Sequence, residues 1–213
     1  MGIKTIWKHL TGGVVYLHSP LKQFTLSATT IEKEYGLNVR ELDYSNDEDV
    51  DLWCYLVNNS YSDISFSRES ARRFISNHPY FEKTQTFVFE QVTGGVIATC
   101  SIGLYKDNSN VGGDFKLGVL KEYHNQGLGR IIILYAFSEL ARKGIKYGES
   151  IIEFKRKPSL HLHYSLGFYP EYDFRALAYK SNKVNKLKQY NFILKYLLHR
   201  NYRRYLCEQK LNY

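Results

Sequence analysis

Residues 115–143 read FKLGVLKEYHNQGLGRIIILYAFSELARK, and the organisation of the chain follows from them. Phe115, Leu117 and Val119 alternate with Lys116, Gly118 and Leu120, the period of a strand. A polar, turn-prone segment from Lys121 to Gln126 leads into Gly127-Leu128-Gly129, and an apolar run with Ile132, Tyr135, Ala136 and Leu140 at helical spacing begins at once. Strand, glycine-bearing turn and helix start, in that order, offer main-chain N–H groups to an anion. The first amides of a helix have no internal partner, and the aligned peptide dipoles add about half a positive charge there. Glycine at 127 and 129 removes Cβ atoms that would hold a phosphate off the backbone, and Arg130 adds a full charge beside it. A glycine pair before a helix is also ordinary turn chemistry. The common nucleotide motifs fit poorly: Gly129 is followed by Arg130-Ile131 rather than lysine and serine or threonine, and the three-glycine dinucleotide fingerprint is incomplete.

The spacing says more. Val119-x-Lys121-x-x-His124-x-x-Gly127-x-Gly129 resembles the acyl-CoA-binding motif of the GNAT superfamily of N-acyltransferases, with Lys121 at the common proline and His124 where Arg or Gln is usual. Downstream, His163-Tyr164-Ser165-Leu166-Gly167-Phe168 is similar to the family's Tyr-x-x-x-Gly-Phe segment. The resemblance covers about residues 37–180. It implies an α+β (α/β/α) fold, with a mixed, mostly antiparallel central sheet flanked by helices. It also implies acetyl-CoA as acyl donor, with the diphosphate on His124, Asn125, Gln126, Gly127, Leu128, Gly129 and Arg130 and the pantetheine along Leu117, Gly118 and Val119. The Leu117 amide would then face the thioester carbonyl. Counted back four residues from Gly167, the family's tyrosine falls on His163, and Tyr164 comes one residue late, so either is a candidate general acid. Asp114 and Glu153 are the candidate bases, and no metal is expected.

Bulk properties agree with an anionic ligand. The 213 residues suit one domain with appendages, and a net charge of +8 favours CoA or nucleic acid, although no nucleic-acid motif stands beside it. Cys54, Cys100 and Cys207 are too few and too scattered for a metal pattern or a disulfide framework. No stretch has the length of a membrane span, no secretory signal is legible, and Gly2 lacks the serine or threonine at position 6 that myristoylation needs. The expected compartment is the cytoplasm.

Three segments follow: an extension over 1–36, an acyltransferase-like domain over 37–180, and a basic amphipathic helix over 181–213. In the first, Ile3, Ile6, Trp7 and Leu10 suit a helix, whereas Thr11-Gly12-Gly13 suits a hairpin. In the second, strands are expected over 38–44, 84–91, 96–105, 114–120, 150–154 and 168–179, with helices over 46–57, 67–77, 128–143 and 158–166 and a polar loop over 106–113. In the third, Leu187, Ile193, Leu194 and Leu197 share an apolar face set among lysines and arginines. That face is expected to pack on the domain or on a second copy in a homodimer, or to dock an acidic partner such as a carrier protein or an anionic membrane surface. The activities in view are acetyl transfer to a small-molecule amine or peptide, acyl transfer from an acyl carrier protein, and a CoA-binding module whose catalytic residues have drifted.

Overall fold

The computed structural model describes residues 14–106, 110–153 and 156–170. The chain divides into two units: one is continuous, Pro20–Glu149, and the other draws its described residues from 14–19 and 150–170. The expected helix over 181–213, the hairpin around Gly12 and the strand beyond Pro170 lie outside the described residues.

The continuous unit is built on an antiparallel ladder, β2 (Leu37–Glu41), β3 (Phe81–Gln91), β4 (Val96–Tyr105) and β5 (Val111–Val119), hydrogen-bonded in that order. Helix α1 (Ala28–Tyr35) precedes β2, with Ser27 accepting from the Thr30 amide as N-cap and Gly36 closing it at φ 64°. α2 (Asp47–Ser60) begins where Asn46 accepts from the Glu48 amide and acids fill the first turn. α3 (Arg68–Ser76) carries a reciprocal Ser67–Ser70 capping box. Trp53, Leu56 and Val57 of α2 and Ala71 and Ile75 of α3 bury their faces with Val88 of β3. On the other side lies α4 (Leu128–Arg142), whose Tyr135 ring meets Phe87 and Phe89 edge-on at 5.3 and 5.7 Å. Helices on both sides of a largely antiparallel sheet make this an α+β fold, as expected.

In the second unit, β1 (Val14–Pro20) pairs antiparallel with β7 (Tyr169–Pro170). α5 (Lys157–Ser165) buries Leu160 and His163. Between the units the chain runs through β6 (Tyr147–Glu153).

Two boundaries differ from the sequence reading in a way that matters. β5 starts at Val111, not Asp114, so Gly112 and Gly113 lie within a strand rather than a loop. They are glycines because the core presses on them: a Cβ at Gly113 would stand 2.8 Å from the Glu149 carbonyl and 2.9 Å from the Phe81 ring, and one at Gly112 2.6 Å from Leu140. β6 starts at Tyr147, not Ser150, which brings Glu149 into a strand. There Gly148 lets Phe137 and Leu21 approach to 2.6 and 2.7 Å of where its Cβ would be.

Candidate active site

β5 changes character halfway along. Phe115 pairs with Ser101 and Gly118 with Thr99, so three steps on β5 match two on β4, and one extra residue is accommodated. Lys116 carries the distortion at φ 49°, a left-handed conformation costly for a residue with a side chain. The extra residue breaks the simple alternation expected over 115–120. Phe115 packs on Phe74, His78 and Phe81, and Gly118 lies against Ser60 of α2, so both face the α2–α3 layer. The Lys116 ammonium reaches the same side, 5.2 Å from the centre of the Phe74 ring. Packed among these rings, the His78 imidazole has its pKa lowered to about 4, by burial first and by the charges of Lys116 and Lys106 second.

Beyond the bulge the direction of the peptide groups can be read from one bond. The Leu120 amide donates to the Ile97 carbonyl across β4 at 2.9 Å. Residues 120 and 118 therefore face β4, and 119 and 117 turn their peptide groups to the opposite edge. The carbonyls of both are held there by side chains. The Tyr61 hydroxyl donates to the Leu117 oxygen, and His124 Nε2 donates to the Val119 oxygen at 2.8 Å. Through the second bond the His124 ring braces the turn back onto β5.

After a single 3-10 turn, Lys121–Tyr123, the chain reaches the mouth of α4. Asn125 at φ 63° and Gly127 at φ 79° are both left-handed, and such turns point successive amides into one concavity. The amides of Asn125, Gln126, Gly127, Leu128 and Gly129 have no acceptor among the described residues, whereas that of Arg130 is tied to the Gly127 carbonyl at 3.0 Å. A Cβ on Gly127 would meet no protein atom within 4 Å, so its conformation, not protein packing, requires glycine there. Five adjacent donors on a helix mouth suit a diphosphate. Two concavities of about 440 and 270 Å³ lie elsewhere, against the C-terminal half of α4, and contain none of these amides.

The proposed catalytic side chains are distributed as follows. Asp114 lies inside β5 opposite Ile102, half-buried rather than at the strand start. Glu153 ends β6 and is bonded by Arg156 at 2.9 Å. His163 is buried to 2% exposure, with Nδ1 donating to the Ser159 carbonyl at 2.8 Å and its ring edge-on to Phe168. Burial pushes the Tyr164 phenol up to about 12. Two residues the sequence reading passed over also stand out. Glu149 is 1% exposed and accepts from the Tyr105 hydroxyl at 2.6 Å, and Tyr61 holds the β5 edge. Glu149 was hidden by the strand boundary, and nothing local marks Tyr61. Among the described residues no group of His, Cys, Asp and Glu could hold a metal ion.

Residues 51–168, more than half of the chain, match the Acetyltransferase (GNAT) family. The chain belongs to this family. Acyl-CoA-dependent acetyl transfer is the activity at family level. A GCN5-related N-acetyltransferase from Sphaerobacter thermophilus shares the fold of this GNAT chain, with a TM-score of 0.55 at 15% identity over 74% of this chain and 48% of that one. A GCN5-related glucosamine N-acetyltransferase region of a fungal multi-domain GH3 β-N-acetylglucosaminidase gives 0.54 at 16%, over 74% and 20%. A Drosophila protein gives 0.51 at 18%, over 74% and 47%. These identities speak for the fold alone, and the GNAT chain spans about half or less of the length of these three structures. Among curated proteins none matches. No helix of the described residues is long and apolar enough to cross a membrane.

Proposed function

We propose that this chain transfers an acetyl group from acetyl-CoA to a primary amine, by direct attack while both substrates are bound. The observation that carries the reading is the row of five amides, Asn125–Gly129, without acceptors at the mouth of α4. The donor set fits the ligand, being N–H-rich and at the positive end of a helix dipole, as the diphosphate of CoA requires, with Arg130 next in sequence. From there the outer edge of β5 leads back to Leu117, whose amide is the donor proposed for the acyl oxygen. Donors of this kind are worth about 2.7–4 kcal/mol when removed from other enzymes.

The reaction forms a C–N bond and breaks a C–S bond. One proton must leave the attacking ammonium, and one must reach the departing sulfur. Tyr164 suits the second task better than His163. With a pKa of about 12 its phenol holds its proton at neutral pH, whereas the His163 ring is buried and already donates to Ser159. Asp114 on β5 and Glu153 at the end of β6, which Arg156 bonds at 2.9 Å, are the two candidate first acceptors of the amine proton. The acceptor proposed is a small-molecule amine or a peptide N-terminus, and the compartment proposed is the cytoplasm.

Saturating CoA should raise the melting temperature. A panel of amines, followed by thiol release from acetyl-CoA, should show turnover with at least one. No thermal shift and no turnover would overturn the reading. The carrier-protein and homodimer alternatives rest on residues 183–210, outside the described residues. Truncation after Ser181 decides between donors, since loss of carrier-dependent turnover alone would favour the carrier.

A further inference from the structure

We infer that Tyr61 is a positioning residue for acyl transfer: with His124 it caps the two outward carbonyls of β5, leaving that stretch of strand edge to present N–H donors. The inference rests on the reading that this edge receives the acyl donor. An ordinary strand edge alternates donors and acceptors. Here the Leu117 carbonyl is taken by the Tyr61 hydroxyl and the Val119 carbonyl by His124 Nε2. A bare carbonyl dipole at Leu117 would repel negative charge gathering on an acyl oxygen beside it. A hydroxyl donating to that carbonyl offsets the repulsion.

Three features converge on this one peptide. Lys116 turns the chain at φ 49°. Gly118 admits the end of α2, because a Cβ there would stand 2.8 Å from Ser60 Cβ and Oγ. Tyr61 leaves α2 directly after Ser60, its own amide tied to the Val57 carbonyl at 3.1 Å, so the phenol reaches Leu117 from a fixed base. The bond spans 56 residues of sequence and joins the first helix of the α2–α3 layer to the bulge. Satisfying a half-buried carbonyl would by itself be a structural role. The two capping residues separate the roles, because Tyr61 stands at the acyl end of the edge and His124 at the diphosphate end.

The test uses the full chain with acetyl-CoA and an amine accepted in the panel. Tyr61→Phe is expected to lower kcat about tenfold, roughly the worth of one such hydrogen bond near developing charge. KM for acetyl-CoA and Kd for CoA should change less than about twofold. His124→Leu should show the opposite split, with CoA affinity falling and kcat held. Should Tyr61→Phe fail to fold, 3,5-difluorotyrosine at position 61 keeps the shape while its phenol ionises near neutral pH. kcat should then fall as pH rises through that ionisation, a limb absent from the parent. Unchanged kcat in Tyr61→Phe, loss only in proportion to CoA affinity, or a fluorotyrosine profile matching the parent overturns the inference while the proposed function stands. A parent chain with neither CoA binding nor turnover overturns both.

Discussion

The two ends of α4 are made of the same material and finished differently. At its C-terminus the Lys143 amide bonds Glu139 and Leu140, Gly144 bonds Ala141, and Ile145 returns to Leu140 at 3.1 Å. The last carbonyls are consumed within the chain, as a helix end requires when nothing else will meet them. At its N-terminus five amides in sequence are left without such partners among the described residues. Both ends use a left-handed glycine, Gly144 at φ 80° and Gly127 at φ 79°, and neither Cβ would touch protein. The contrast teaches that a positive φ alone does not mark a site. What the neighbouring amides do distinguishes a stop from a receptor.

The contrast breaks first at Gly127. Gly127→Glu adds strain and a negative charge at the mouth, and the stabilisation of about 2.7 kcal/mol expected from CoA at a hundred times its Kd should disappear. Thermal melts with and without CoA read this directly. A second test moves onto β5. Gly118→Val forces α2 away from the bulge and should cost about 2 kcal/mol in chemical denaturation, because backbone and Ser60 must both shift.

A third test concerns the aromatic layer under the bulge. The His78 pKa, lowered to about 4 in the folded chain, lies below its usual value, so the unfolded chain binds a proton that the folded chain refuses. His78 therefore contributes nothing unfavourable above about pH 6.5, and stability falls as pH drops from there towards 4, by an order of 1–2 kcal/mol at pH 5. His78→Phe, which keeps a ring against Phe81 and Phe115, should flatten this slope. The smallest effect belongs to the closed end. Gly144→Ala should lower stability by about 1 kcal/mol and leave the CoA-induced shift untouched. Loss of that shift in Gly144→Ala would erase the distinction between the two ends.

Much of this was legible beforehand, for physical reasons particular to each element. Asn46 and Ser67 stand before helices because their side chains replace missing helical acceptors, and that chemistry is local. The turn at Gly94 and Gly95 is written in two adjacent residues, both with positive φ. The mouth of α4 is likewise local, a few residues of turn before a helix. What escaped was set at a distance. Gly112 and Gly113 look like loop residues until Leu140, Phe81 and Glu149 are seen pressing on them. A lysine has no liking for the left-handed region, so Lys116 gives no sign of a bulge that ladder pairing imposes. Tyr61 is one tyrosine among 19, and only its reach across to Leu117 sets it apart. The proposed preference for Tyr164 over His163 rests on the burial of His163, which counting back from Gly167 could not reveal.

The odd residue at Lys116 has one more implication. Phe115 and Gly118 face the same helices although three steps separate them, because the bulge absorbs the odd residue. Deleting that one residue would leave two steps on β5 against two on β4, so both side chains would keep their side while the bend at the bulge was lost. What the odd residue supplies is therefore curvature: it turns the end of the strand without changing which layer its side chains meet.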